Sequence, residues 1–260
     1  MTEQKTKIDL LIEQLQKNDF DPDPEISPQL AEIIQYFIVV ESLVPVSYAP
    51  QLRFMPPYMY PKLRKFIDIW EMEEAKHGEV LRLYLQKHDY YVPPVSKKNL
   101  TWSYLYGFIG TILLAWPLWF ISVGVYLVIG GANEATTSAG YWALMKRVEN
   151  YPLLRQIIAA IQAEEVRHLD FYTKTAPSFL GTGLRRRLAE YALKKNWKPI
   201  GSRHGDSAKL VNLLLGPDTE LSFYTRLRSY LARVDVSMPN VSDFVVDAIQ
   251  KLKSDPSETI

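Results

Sequence analysis

The chain contains no cysteine. That excludes disulfides, thiolate zinc sites and iron–sulfur clusters ligated by this chain, and any electrons a redox centre consumes must come from a partner. Histidine is scarce, with four residues among 260. Neither sign of charge is in excess, since 30 basic residues stand against 29 acidic ones. Bulk charge therefore gives no reason to expect nucleic acid or a membrane surface as a partner. Residues 1–20 carry charges throughout and lack the apolar core of a secretory signal, which sets a cytoplasmic expectation. Residues 101–133 lack charge altogether. A run of that length with aromatic ends can span a bilayer. Pro117 divides it, however, and the part after Pro117 must carry Glu134, Thr137 and Tyr141 in continuous helical phase. The expectation is that this run lies in a bundle core or a homodimer interface without crossing a membrane, membrane association being the less favoured reading.

Against these absences stand two copies of one short pattern, Glu74-Ala75-Lys76-His77 and Glu165-Val166-Arg167-His168, which use two of the four histidines. Residues three apart share one helix face, so each copy aims a carboxylate and an imidazole at the same place. A single Glu-x-x-His is weak as a metal signal. Both copies, however, sit on apolar stripes. Leu63, Phe66, Ile67, Trp70, Glu74, His77, Leu81 and Tyr84 recur at helical spacing, as do Leu154, Ile158, Ile161, Glu165, His168 and Tyr172. Such stripes face a core, where a charged side chain is costly unless paired or bound to metal. Glu41 precedes Glu74 by 33 residues and Glu134 precedes Glu165 by 31. Glu, Glu-x-x-His, Glu, Glu-x-x-His is the ligand order of dinuclear carboxylate sites in four-helix bundles.

The remainder reads as helix. Ile8, Leu11, Ile12 and Leu15 mark a short amphipathic helix, followed by a stiff turn through Pro22, Pro24 and Pro28. Ser27 can cap the next helix, and Pro45 ends or kinks it just beyond Glu41. Pro56, Pro57 and Pro61 punctuate the approach to a helix over residues 62–90, which Pro93-Pro94 closes. Residues 184–204 hold a basic cluster, and further helices are expected near residues 218–234 and 242–252. The length suits one domain, with a core bundle at about residues 28–175 and accessory helices at about 176–260. Gly130 and Gly131, one turn before Glu134, either leave room beside the metals for dioxygen or a substrate chain or allow close helix packing.

With the ligands placed, Trp70-Glu71-Met72-Glu73-Glu74-Ala75-Lys76-His77-Gly78 resembles the Trp-x-x-Glu-Glu-x-x-His-Gly signature of soluble acyl-carrier-protein desaturases. Glu41-Ser42-Leu43-Val44-Pro45 is similar to that family's Glu-x-x-Leu-Pro segment, with Val44 inserted. Glu134 followed by Thr137 resembles its third-helix element, and Glu164-Glu165-Val166-Arg167-His168 its last. The resemblance covers about residues 30–175 and implies an all-α, ferritin-like four-helix bundle with a di-metal carboxylate core and additional helices. It also implies two irons, with manganese as the other candidate. Glu41, Glu74 and His77 would hold one metal and Glu134, Glu165 and His168 the other, with Glu74 and Glu165 bridging. It further implies oxygen-dependent desaturation of a long acyl chain, Thr137 as a proton donor and Glu164 as a hydrogen-bond partner of His77. An acyl carrier protein or other thioester carrier would deliver substrate, docking on Arg185, Arg186, Arg187, Lys194, Lys195, Lys198 and Arg203. An external ferredoxin-like donor would supply electrons to a homodimer. Related di-iron oxygenases and membrane-associated quinol oxidases, which share the ligand order, are the competing resemblances.

Overall fold

The computed structural model describes residues 5–92, 109–110, 112–181, 183–198 and 207–254. Among them the chain is all helical, without strands. Helix α1 (Lys7–Lys17) is opened by Thr6, whose side chain accepts from the Asp9 amide while Asp9 reaches back to the Thr6 amide. This reciprocal capping satisfies two donors that the first turn leaves open. Helix α2 (Pro28–Leu43) starts at Ser27, whose Oγ accepts from the Leu30 amide, with Pro28 in the first position.

Pro45 does not end α2. It has no amide hydrogen to return to Glu41, so the backbone widens into a π-helical turn, Val44–Tyr48, closed by the Ala49 amide on the Val44 carbonyl. The chain then continues as the short helix α3 (Ala49–Leu52). Turns of this kind re-aim the helix without breaking it. A 3-10 turn, Pro56–Met59, leads into α4 (Pro61–Lys87). The long helices α5 (Trp119–Arg147) and α6 (Pro152–Leu180) follow.

The direction of each helix follows from what meets across it. Ser42 lies against Gly78 and Ile26 against Tyr90, so α2 and α4 are antiparallel. Gly124 meets Leu180, Gly130 meets Tyr172 and Gln162 meets Ser138, so α5 and α6 are antiparallel as well. Helices α4 and α6 join the pairs, with Phe66 stacked on Phe171 at 3.8 Å between ring centroids. Leu63, Ile67, Leu81, Leu85, Leu154, Ile158 and Ile161 are buried in the seam, each contributing about 2 kcal/mol of burial free energy.

Asp23, in the stiff turn before α2, ties the far end together. Its carboxylate accepts from the Leu153 and Leu154 amides and from the Tyr84 hydroxyl, each at 2.9 Å. It thereby satisfies two open donors of α6 from 130 residues away.

The remaining helices are α7 (Leu184–Asn196), α8 (Ser207–Leu214), α9 (Pro217–Asp235) and α10 (Val241–Ser254). Helices α7 and α9 pack on α5, and α10 packs on α9. Trp197 donates to Asn133 Oδ1 at 2.8 Å, fastening the end of α7 beside Glu134. The helix expected over residues 62–90 ends earlier, at Lys87, because Asp89 adopts φ 59° in a tight turn. Pro93, Pro94 and Arg203 lie outside the described residues.

Within one chain the uncharged run enters the bundle core only in part. Residues 101–108 lie outside the described residues, and the part from Ile121 to Ala132 enters the core as expected. Ile109, Leu113, Leu114, Trp116, Leu118 and Trp119 do not, and their side chains are exposed. Residues 109–110 and 112–115 are helical, and after the turn at Pro117 the helix resumes at Trp119. The residues before Trp119 lie past the end of α6, where Ala115 is buried and the Trp116 indole donates to the Phe54 carbonyl while most of their apolar side chains face outward. Among the described residues one helical stretch, Pro28–Leu52, is long and apolar enough to cross a membrane, and half of its most apolar stretch is buried in the bundle.

Candidate metal centre

The four long helices each bring one carboxylate inward: Glu41 from α2, Glu74 from α4, Glu134 from α5 and Glu165 from α6. His77 and His168 lie one turn beyond Glu74 and Glu165. All six side chains are buried. They fall into two overlapping sets able to hold a metal ion, Glu41, Glu74, His77 and Glu165 in one and Glu74, Glu134, Glu165 and His168 in the other. Within each set one donor atom per residue lies within 4.8 Å of the others. Glu74 and Glu165 belong to both, the arrangement needed for two carboxylates to bridge two cations.

The imidazoles aim the same nitrogen inward. His77 Nδ1 is 3.0 Å from Glu165 Oε1, 3.5 Å from Glu41 Oε2 and 3.9 Å from Glu74 Oε2. His168 Nδ1 is 3.3 Å from Glu74 Oε1 and 3.7 Å from Glu134 Oε2. None of these approaches has hydrogen-bond geometry, and both Nδ1 atoms and Glu165 Oε1 are buried without a partner. Buried polar atoms left open in this way are rare. Several of them converging on one space is what an ion-binding cage requires.

The outward nitrogens are held. His77 Nε2 lies 2.9 Å from Glu164 Oε2, and His168 Nε2 lies 2.8 Å from Glu73 Oε2. Each carboxylate comes from the residue just before a cluster Glu on the opposite helix, so the two contacts are mirror images. Arg167 clamps the Glu73 carboxylate at 2.7 Å and lies 3.9 Å from Glu164. A hydrogen bond at Nε2 selects the tautomer with a free Nδ1 lone pair and makes that nitrogen a better donor. The terminal carboxylates are oriented too, Glu41 Oε1 by the Tyr141 hydroxyl at 2.5 Å and Glu134 Oε1 by the Trp70 indole at 3.1 Å.

The electrostatics show what this cluster lacks without cations. Burial, followed by the neighbouring carboxylates, raises Glu74 and Glu165 well above the ordinary carboxylate range. Burial opposes a charge on the imidazoles, yet contacts with Glu164, Glu165 and Glu41 raise His77, and those with Glu134, Glu73 and Glu74 raise His168. Glu41 ends below its usual value although burial pushes it up, because the close Glu74 carboxyl, the His77 imidazole and the Tyr141 hydroxyl all favour its charged form. Protons thus stand in for the missing positive charge. The donor set is four carboxylates and two imidazoles with no thiolate, which fits a divalent first-row metal.

Thr137 lies one turn beyond Glu134 and lines a small, largely apolar cavity with Tyr36, Phe37, Val40, Thr136 and Gly140. Its other walls are Leu214, Phe223 and Ile249 of the accessory helices, and none of the six cluster residues lines it. It is Thr136, not Thr137, that bonds back to a main-chain carbonyl, that of Ala132. The glycines settle toward close packing. A Cβ at Gly130 would fall 2.3 Å from the Tyr172 ring, so the expected opening beside Glu134 is filled by that ring. Tyr172 in turn meets the Tyr126 hydroxyl at 3.0 Å. The orienting role of Tyr141 was not foreseen, though its seven-residue spacing from Glu134 puts both on one helix face. No protein-family model, curated protein or solved structure matches the chain.

Proposed function

We propose that this protein is an oxygen-dependent oxidoreductase of the ferritin-like kind, with two irons held by Glu41, Glu74, His77, Glu134, Glu165 and His168, acting on a long acyl chain. The observation that carries the reading is that Glu74 and Glu165 are shared between two buried donor sets into which both histidines aim an unpartnered Nδ1. A bound pair of irons supplies the two-electron reduction of dioxygen. In desaturation one –CH2–CH2– unit loses two hydrogens, and dioxygen takes these with two external electrons and two protons to give two waters. With no cysteine in the chain, those electrons come from a separate donor of the ferredoxin type.

The chain's own residues have distinct parts. Glu73 and Glu164 hold the imidazoles in register, and Tyr141 and Trp70 fix the outer oxygens of Glu41 and Glu134. Ile67, Leu81, Ile158 and Ile161 exclude water around them, which strengthens each electrostatic contact. Thr137, one turn beyond Glu134 on the same helix, would be the hydroxyl that passes protons. On α7 Arg185, Arg187, Lys194 and Lys195 are exposed, as is Lys198 just beyond it, a surface suited to an acidic acyl carrier protein.

The test is mass spectrometry of acyl products after aerobic turnover of the iron-loaded protein with a chemical reductant. Products lighter by two hydrogens are expected. Products heavier by one oxygen would assign an oxygenase, and rapid quinol oxidation without any acyl product would assign a quinol oxidase.

A further inference from the structure

One end of the molecule gathers exposed apolar side chains that no part of the metal centre uses. Leu113 is 68% exposed, Leu114 66% and Trp119 54%, beside Met59 at 66% and Phe54 at 62%. Single exposed apolar residues are ordinary, whereas a contiguous group marks an interaction site. These are contiguous. The Trp116 indole donates to the Phe54 carbonyl at 3.1 Å, and α5 packs on the Pro56–Met59 turn. Ala115 is buried, so the stretch before Pro117 rests on the body through Ala115 and turns Leu113, Leu114 and Trp116 outward.

Charge around this end is mainly positive, and the nearest acids are engaged, Asp68 by the Tyr58 hydroxyl and Glu71 by Arg53. From Ser42 to Ile67, and again from Tyr90 to Asn133, the sequence has no Asp or Glu. Lys62, Arg64 and Lys65, exposed on the first turns of α4, follow Met59 within six residues. Ring contacts show that the elements end together here, Tyr60 meeting Phe179 at 5.0 Å and Lys62 lying 5.7 Å from the centre of the Phe171 ring. The result is an apolar centre edged by tryptophan and rimmed by cations.

We propose that this end is a monotopic membrane-docking surface for a bilayer containing anionic lipid, with Leu113, Leu114 and Trp119 entering the interface and Lys62, Arg64 and Lys65 meeting headgroups. Interfacial binding of this kind combines buried apolar area with attraction to anionic lipid, and Trp favours the headgroup level. A second copy of the chain on the same face would bring like-charged rims together. A bilayer with negative headgroups complements them. The surface stands apart from the metal centre, so this docking does not depend on the proposed chemistry.

The test is sedimentation of the full chain with vesicles of phosphatidylcholine alone or mixed with phosphatidylglycerol. Binding is expected to rise steeply with the anionic lipid and to shift tryptophan fluorescence to the blue. Leu113→Gln with Leu114→Gln and Trp119→Gln, all at exposed positions, should weaken binding by roughly tenfold or more while circular dichroism and metal content stay at wild-type levels. Lys62→Glu with Arg64→Glu and Lys65→Glu should abolish the preference for anionic lipid. Failure of the wild type to bind either vesicle, or unchanged binding by both variants, would overturn the proposal. So would a dimer in solution that the apolar variant dissociates without any vesicle binding, which would assign the face to a second copy.

Discussion

Glu73 and His168 are 95 residues apart in the chain, on different helices, yet Glu73 Oε2 and His168 Nε2 meet at 2.8 Å. Glu164 and His77 repeat the contact in the opposite sense at 2.9 Å. Because these carboxylates orient imidazoles without belonging to either donor set, Glu73→Gln and Glu164→Gln should fold normally and lose about 10- to 100-fold in metal affinity. Chelator competition measures this. Wild-type affinity in both variants would remove the carboxylates from any part in metal binding.

Glu74 is shared by both donor sets and Glu41 belongs to one. Glu74→Ala should therefore lower the content of both metals, whereas Glu41→Ala should chiefly affect one. His168→Ala should mirror Glu41→Ala at the other position. Elemental analysis against protein concentration separates these patterns. Two metals per chain retained in Glu74→Ala would rule out the bridging assignment.

Metal binding should release protons. Glu74, Glu165, His77 and His168 are all raised in the metal-free protein, and cations bind only the deprotonated donors. Affinity should weaken as pH falls. For the metal-free protein the sign runs the other way for stability. Groups with a raised folded pKa add stability that is complete below their unfolded values and is lost as pH rises through the folded values. Glu41 and Glu73, both lowered, act oppositely and lose their contribution as pH falls into the carboxylate range. The stabilisation produced by metal should therefore grow as pH rises above the ordinary carboxylate and imidazole values. Thermal melts with and without metal, compared as pH rises, measure it, and a constant difference would contradict the titration of these residues.

Asp23→Ala should destabilise the fold by about 2–4 kcal/mol, since it strands two amide donors at the start of α6 and a buried phenol. Urea unfolding reads this directly. A loss under about 0.5 kcal/mol would mean that water replaces the carboxylate without cost.

Much of the site was legible in the sequence because helix periodicity is local. Three-residue spacing puts Glu74 with His77 and Glu165 with His168 on single faces, and the leucines and isoleucines around them mark those faces as inward. The start of α2 was equally legible, since Ser27 and Pro28 act within one turn. Nothing local places Glu164 opposite His77, so that pairing rested on family likeness until the antiparallel packing of α4 and α6 set their register.

What only the tertiary structure decided involves partners distant in sequence or the supply of packing surface. Asp23 reads as part of a proline-stiffened turn, and only the arrival of α6 makes it a cap. Gly130 allows either an opening or a close approach, and the Tyr172 ring selects the approach. Pro117 marks where the uncharged run can turn, but both sides of it are apolar, so sequence pattern cannot say which side is buried. Helix α6 stops at Leu180, and the residues before Trp119 extend past it. Burial depends on having a neighbour as well as on being apolar, and that neighbour is set by the lengths of other helices.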